Sequence, residues 1–130
     1  MDNGTVCLTD FYATFAEMTG YRIADNEAED SFSFLGRIDK SSKGEKSVRP
    51  IVLHSADGSL SLKDGKWKFL RTKYSGGWSS PSPKDGVQHD DLSEYQLYNV
   101  KRDPSESRNL YNKKRRLSER MLNTLSGITK

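Results

Sequence analysis

The clearest alternation of hydrophobic and polar positions lies in residues 59–70, which read SLSLKDGKWKFL. The alternation continues on both sides of Asp64-Gly65, a dipeptide that favours a two-residue type I′ turn because both central residues must adopt positive φ. Pairing about this turn places Lys63 opposite Lys66 and Leu62 opposite Trp67. The apolar face then holds Leu60, Leu62, Trp67 and Phe69, and the polar face holds Ser61, Lys63, Lys66 and Lys68. The pattern predicts a hairpin whose apolar face needs a cover.

A helix at the end of the chain, about Lys113 to Ile128, is the natural cover. Its apolar residues recur at helical spacing and form one stripe, made of Leu117, Met121, Leu122, Leu125 and Ile128. The run Lys113–Arg116 falls at the positive end of the helix dipole, where cations are mildly unfavourable. We interpret this run as a solvated face in preference to a nucleic-acid patch, because it lacks interleaved aromatic residues.

A second helix is predicted over residues 8–20. Thr9 suits its N-cap and Gly20 suits the position after its last turn. Its apolar stripe is expected to pack in a core, in preference to contacting a ligand. That stripe consists of Phe11, Tyr12, Phe15 and Met18.

The rest of the chain supplies strands and long loops. Strands are predicted at Ile51–Ser55, Ser59–Lys63, Lys66–Lys73 and Glu94–Val100. Residues 21–49 and 74–92 lack sustained periodicity and are rich in loop-forming residues. The expected fold class is therefore α+β, with about four antiparallel strands packed against the C-terminal helix, an N-terminal helix and long loops.

Composition narrows the possible functions. The 130 residues are 33% hydrophobic with a mean hydropathy of −0.83, which suggests long surface loops or part of a larger protein. A net charge of +3 is too mild to indicate a nucleic-acid partner, and no apolar run is long enough to predict a membrane partner. The single cysteine, Cys7, allows neither an internal disulfide nor a cysteine-based metal site.

No complete catalytic set is visible. His54, Ser55 and Asp57 are too close in sequence to converge as a triad from separate elements. His89 precedes two aspartates and could contact a cation, although a solvated loop is the favoured explanation. Trp78 lies in a loop rich in Gly, Pro and Ser, where we favour a plug onto the core over the lining of a site. We therefore predict neither a catalytic residue nor a metal site in this chain.

Four segments in order resemble the C-terminal part of a type I sulfatase, of the arylsulfatase family in the alkaline-phosphatase-like superfamily. VCLTDFYATFAEMTG, residues 6–20, is similar to a helix of that family, with Ala13 in place of the usual proline. DSFSFLG, HSADGSLSLKDGKWKFL and YQLYNVKRDPSESRNL resemble the segments that follow, at residues 30–36, 54–70 and 95–110. The resemblance assigns residues 1–49 to the edge of a catalytic domain and residues 50–130 to the sulfatase C-terminal subdomain.

The resemblance implies sulfate-ester hydrolysis by a parent enzyme whose formylglycine and calcium lie in an N-terminal catalytic domain, the expected partner of this chain. Cys7 is not the formylglycine precursor, because Thr9 and Phe11 stand where the C-x-P-x-R motif needs Pro and Arg. Asp2-Asn3-Gly4 resembles part of the family's metal motif. It lies only a few residues before the helix, whereas the family's Asp-Asn precedes that helix by a long segment, so we interpret the match as coincidence. This chain alone is expected to be inactive, and the parent to lie in a periplasmic, secreted or lysosomal-type compartment.

Within the parent, the chain is expected to complete the cleft for a sulfated small molecule or glycan. His54, Gly77 and Trp78 are the candidate substrate-side residues, since His54 matches the His of the family's H-s-x-x-G segment and Trp78 offers a flat ring for stacking. His54 could equally be a structural histidine at a strand end. The alternative function is a free-standing, non-catalytic binding module of the same fold.

Overall fold

The computed structural model describes residues 5–39 and 49–129. The chain separates into two compact units, Met1–Arg49 and Pro50–Lys130.

The first unit contains helix α1, Asp10–Thr19, and the short helix α2, Leu35–Ile38. Gly20 ends α1 in the left-handed conformation at φ 74°, as predicted. The N-cap predicted at Thr9 is wrong, because Thr9 has helical backbone angles and its side chain makes no capping hydrogen bond. Asp10 organises this end instead: its carboxylate accepts the Cys7 N–H at 3.0 Å and the Phe32 N–H at 3.2 Å.

The packing predicted for the aromatic stripe of α1 is also wrong. Its four large side chains are 40–61% exposed, and the buried residues are Asp10, Ala13, Thr14 and Ala16. Hydrogen bonds to the chain segment at residues 31–34 decide the orientation. Ser31 Oγ accepts the Ala13 N–H at 2.8 Å, and Thr14 Oγ1 accepts the Phe34 N–H at 3.1 Å. The side of α1 that carries Ala13 and Thr14 is therefore the covered one, because these bonds give partners to backbone N–H groups that the segment shields from water.

The second unit is an antiparallel sheet covered by a helix. Its strands lie in the order β1-β2-β3-β4. They are β1 Ile51–His54, β2 Leu60–Asp64, β3 Trp67–Leu70 and β4 Gln96–Asn99, followed by helix α3, Arg115–Ile128. No helix or strand interrupts residues 71–95, so the long loop is also as predicted. The α+β fold class is confirmed.

The register predicted for the hairpin is wrong, although its face pattern survives. Asp64 pairs with Trp67 and Leu62 with Phe69, so Gly65-Lys66 forms the turn. Gly65 has φ 53° and Lys66 has negative φ, the signs of a type II′ turn with glycine first. This register differs from the predicted one by two positions, and the side-chain period is two. Each apolar side chain therefore stays on its predicted face.

The predicted cover of the hairpin is confirmed. Helix α3 supplies Met121 and Leu125 to a fully buried cluster with three sheet residues, namely Leu62, Phe69 and Leu97. Ile128, at the end of the predicted stripe, is 52% exposed and does not take part. Trp67 packs at the margin of the cluster and remains half-buried.

The opposite face of the sheet is less polar than predicted. Ser61 is only 4% exposed, and Leu70, its cross-strand partner, is 9% exposed. The neighbouring strands explain this burial, because the observed pairing places Ile51 and Tyr98 on the same face. Both of these residues are buried. Lys63 and Lys68 are half-buried there, and Lys68 Nζ lies 2.7 Å from a carboxylate oxygen of Glu106.

The segment from Asp103 to Leu110 braces the free edge of β4. The Asp103 carboxylate accepts the Arg108 N–H at 2.9 Å and the Ser107 N–H at 3.1 Å, which lowers the pKa of Asp103. The Asn109 amide then bridges to the strand: its Oδ1 accepts the Leu97 N–H at 3.0 Å and its Nδ2 donates to the Tyr95 carbonyl at 3.1 Å. The residues of this segment therefore act as scaffold.

Candidate functional site

The candidate site is a cleft between two loops at one end of the second unit. One loop joins β1 to β2, and the other is the long connection from β3 to β4. The cleft has a volume of about 230 Å³. It is lined by Ala56, Asp57, Gly77, Trp78, Ser82, Pro83, Lys84 and Asp85.

A tight turn forms the first wall. The Ser55 N–H donates to the Ser59 carbonyl at 2.9 Å, which closes the loop. Asp57 Oδ1 accepts from both the hydroxyl and the N–H of Ser59, at 2.6 and 2.9 Å. The Ser59 hydroxyl and N–H lower the pKa of Asp57, so its carboxylate is ionised at neutral pH. The turn is thus a fixed, negatively charged wall.

Gly76 attaches the long loop to this turn. Its carbonyl accepts the Asp57 N–H at 3.2 Å, and its φ is 76°. A Cβ at this position would lie 2.8 Å from Ser55 Oγ and 2.9 Å from Ser55 Cβ. Only glycine therefore lets the two loops approach this closely.

Replacing Gly76 by alanine should destabilise the second unit by roughly 1–3 kcal/mol, since it adds backbone strain to a close contact. Urea unfolding, with amide exchange measured over residues 74–80, tests this. Gly77→Ala is the matched control, because no atom lies within 4 Å of its added Cβ and its φ is not positive. Equal losses from the two variants would contradict this role of Gly76.

Asp85 organises the second wall. Its carboxylate accepts the Ser82 N–H at 2.8 Å, the Val87 N–H at 3.0 Å and the Ser80 hydroxyl at 2.9 Å. His89 Nε2 lies 2.9 Å from the same carboxylate. These bonds, led by that from His89, hold the pKa of Asp85 well below its usual range. Their contribution to loop stability is present above the unfolded-state pKa of the carboxyl and weakens as pH falls below it.

The solvated-loop explanation for His89 is wrong. Its side chain is only 13% exposed, and its ring packs edge-on to Tyr74 with centroids 6.2 Å apart. Its acidic partner is Asp85, four residues earlier in the chain, and not either of the aspartates that follow it. Within residues 5–39 and 49–129, no three His, Cys, Asp or Glu side chains are grouped to hold a metal ion.

The plug predicted for Trp78 is wrong as well. Its side chain is 97% exposed and lines the cleft beside Gly77. Because the Trp78 ring does not reach the core, its flat apolar face is open to solvent. Such a face can stack on a sugar or aryl ring.

His54 stands beside the cleft and is not part of its lining. It ends β1, is exposed, and pairs with Leu60 across the sheet. Its imidazole is near enough to Asp57 for its charge to lower the pKa of that carboxyl further. The structure thus brings Gly77 and Trp78 together at the cleft and leaves His54 outside its lining.

Three residues at the cleft, Asp57, Lys84 and Asp85, were not assigned to a site from the sequence. For Asp57, the sequence Asp57-Gly58-Ser59 is typical of a side-chain-capped turn and could have indicated its position. Asp85 is followed by Gly86 in the same way, but its pairing with His89 depends on the loop path. Nothing in the sequence distinguishes Lys84 from other exposed lysines.

Cys7 is half-buried, and its backbone joins the Asp10 cap. The Asp2-Asn3-Gly4 sequence lies outside the described residues. Among the residues that are described, no helix is both long and apolar enough to cross a membrane.

Comparison with known proteins gives structural neighbours only. No protein-family model matches the chain, and a search of curated protein sequences finds no match. A solved structure labelled BT33336S-sulf, described under the metabolism of multiple glycosaminoglycans by Bacteroides thetaiotaomicron, matches with a TM-score of 0.67 at 19% identity. The match covers 92% of this chain and 24% of that one. A second structure, of Ps i-CgsB, matches with a TM-score of 0.59 at 19% identity, over 91% of this chain and 23% of that one.

At this level of identity the likeness shows the fold. This chain has the fold of part of a sulfatase and spans about a quarter of the length of the structures it matches.

Proposed function

We propose that this chain is the C-terminal part of a sulfatase and that it completes the substrate cleft of the parent enzyme. The observation that carries the proposal is the match to a sulfatase structure over 92% of the chain. The four segments that resemble the family in sequence include α1, the start of α2, β2, β3 and β4. The alternative, a free-standing binding module, would use the same cleft without a catalytic partner.

The cleft suits one end of a sulfated sugar or aryl compound. Trp78 offers a stacking surface, Lys84 offers a cation for a sulfate or carboxylate group, and Asp57 offers a fixed acceptor for a hydroxyl group. His54 lies beside Asp57 and would reach the substrate from the β1 end. The sulfatase among the structural neighbours is described under glycosaminoglycan metabolism, which favours a sulfated glycan.

The exposed aromatic stripe of α1 is the proposed contact with the catalytic domain of the parent. Phe11 and Phe15 stack with centroids 5.6 Å apart, while Phe15 and Met18 are 56% and 61% exposed. Adjacent exposed apolar side chains of this size are typical of a surface that another protein element covers. The formylglycine nucleophile and the calcium ion would belong to that domain, in a periplasmic, secreted or lysosomal-type compartment.

In the full-length enzyme, His54→Ala should lower kcat/KM for a sulfate ester about tenfold or more, the cost of losing one hydrogen bond to a charged group. The melting temperature should change little, because His54 is exposed. Formylglycine and calcium content should stay normal. His89→Ala is the control for a structural histidine, since loss of the bond to Asp85 should affect loop stability first. Unchanged kinetics with a lowered melting temperature for His54→Ala would make His54 structural.

Purified chain 1–130 alone should not hydrolyse an aryl sulfate. Hydrolysis of the aryl sulfate by this chain, at a rate that a chelator does not reduce, would contradict the proposal. Failure to find C-x-P-x-R in the reading frame upstream would favour the free-standing binding module.

A further inference from the structure

We propose that a second surface of this chain, at the opposite end of the sheet from the cleft, binds a linear sulfated polysaccharide through paired lysines around Trp67. We call it the basic end surface, and it consists of Lys66, Lys101, Lys113, Lys114 and the Trp67 ring. The preference for a sulfated glycan over other polyanions rests on the proposed function. The surface itself rests on the contacts that follow.

Three chain segments meet at the Trp67 ring. Lys66 Nζ, from the β2–β3 turn, lies 5.8 Å from the ring centroid, and Lys114 Nζ, just before α3, lies 5.6 Å from it. Both ammonium groups are within range of a cation–π interaction. The Val100 N–H donates to the Lys66 carbonyl at 3.0 Å, so Lys101 follows directly beside the same turn. The Trp67 ring thereby contacts ammonium groups from two separate segments, those of Lys66 and Lys114.

These cations are available to a ligand. All four lysines are exposed, and none of them forms an ion pair with a described residue. Two acidic residues lie in the same segments, but the Asp103 carboxylate is occupied by the N–H groups of Ser107 and Arg108. Asp64 remains as the acidic neighbour of four lysines. The local charge is therefore strongly positive on a chain whose net charge is only +3.

The arrangement runs against the stability of α3. No acidic residue occupies its first turn, and Lys114 precedes Arg115 at the end where the helix dipole disfavours cations. Only Arg115 has an acidic partner on the helix, an exposed contact of 3.7 Å with Glu119. Residues that break a local rule are typical of functional positions. A polyanion across this surface would supply the missing negative charge.

A flexible sulfated chain fits this surface better than a folded partner. The cations project from separate segments around one ring, so they suit a ligand with charges repeated along its length. The hexose rings of such a chain present apolar faces that can lie against the exposed part of Trp67. The cleft could then hold the chain end while the basic end surface holds a distant part of the same substrate.

The two tryptophans make the test direct, because the chain contains only Trp67 and Trp78. Heparin titrated into the chain should shift the indole N–H resonance of Trp67 in an NMR spectrum. The test variant combines Lys66→Gln with Lys114→Gln. Its matched control combines Arg22→Gln with Arg71→Gln, which also removes two positive charges from exposed positions. The lysine variant should bind heparin about tenfold more weakly, with a salt dependence reduced by about 1.5 in slope. The arginine variant should bind like the original chain.

Several results would overturn the proposal. These are equal weakening of the two double variants, a response of Trp78 alone, and equal affinity for unsulfated hyaluronan. Equal or tighter binding of polyuridylate would assign the surface to nucleic acid. The test is separate from the activity of the parent: heparin binding at Trp67 without sulfate hydrolysis by the parent would refute the proposed function alone. Hydrolysis by the parent without binding at Trp67 would refute this inference alone.

Discussion

Replacing Phe69 by alanine should lower the free energy of unfolding by about 3–5 kcal/mol, the usual cost of removing a buried aromatic side chain. Phe69 is fully buried between the sheet and α3, in the cluster that also holds Leu97 and Met121. Its ring meets Tyr95 edge-on with centroids 5.7 Å apart. Urea unfolding followed by circular dichroism measures the loss.

Trp78→Ala is the control for this prediction, since it removes an even larger aromatic side chain from a position that is 97% exposed. Its effect should stay below about 0.5 kcal/mol. Similar losses from the two variants would mean that the core does not lie between the sheet and α3.

Asn109→Ala should cost about 2–4 kcal/mol, although it removes only one polar side chain of modest size. The amide satisfies three backbone groups at once: the Leu97 N–H at 3.0 Å, the Tyr95 carbonyl at 3.1 Å and the Tyr111 N–H at 2.9 Å. Leu97 is fully buried, so its N–H would lose its partner where water has little access. The open edge of β4 would lose its brace as well.

Thermal unfolding and amide exchange at Leu97 together test this role of Asn109. Asn112→Ala is the control, because Asn112 is exposed and its Nδ2 donates to the Ser93 hydroxyl at 2.9 Å in an exposed hydrogen bond. The Asn109 variant should lose protection at Leu97, and the Asn112 variant should keep it. A stable Asn109 variant with unchanged exchange at Leu97 would show that the edge of β4 is held by other contacts.

Patterns of period two and of helical period determined most of the second unit. The alternation around Asp64-Gly65 placed Leu62 and Phe69 on one face, and this assignment survived a wrong register because the error was two positions. The stripe on α3 identified Met121 and Leu125 as the cover for the same reason: each side chain's direction follows from its place in the period.

Tertiary contacts decided which side chains are buried wherever the periodic pattern does not determine burial. On α1, the hydrogen bonds that Ser31 and Thr14 accept from backbone N–H groups set which side is covered, so the aromatic stripe remained exposed. On the second face of the sheet, Ser61 is buried because β1 and β4 contribute apolar neighbours, which the hairpin sequence alone does not contain. The cleft depends on the path of the long loop. Two contacts fix that path: the Gly76 carbonyl bonds to the β1–β2 turn, and Asp85 bonds to His89.

The sequence by itself therefore determined the four strands, α1 and α3, and which faces of the hairpin and of α3 meet, because side-chain direction repeats along a regular backbone. The short helix α2 was not predicted from it. The sequence also marked Gly77 and Trp78 as loop residues of interest. Only the tertiary structure decided that Trp78 lines a cleft, that His54 lies outside its lining, and that Lys66 and Lys114 flank Trp67. Those arrangements join segments distant in sequence, and their geometry depends on the loop paths and not on any local period.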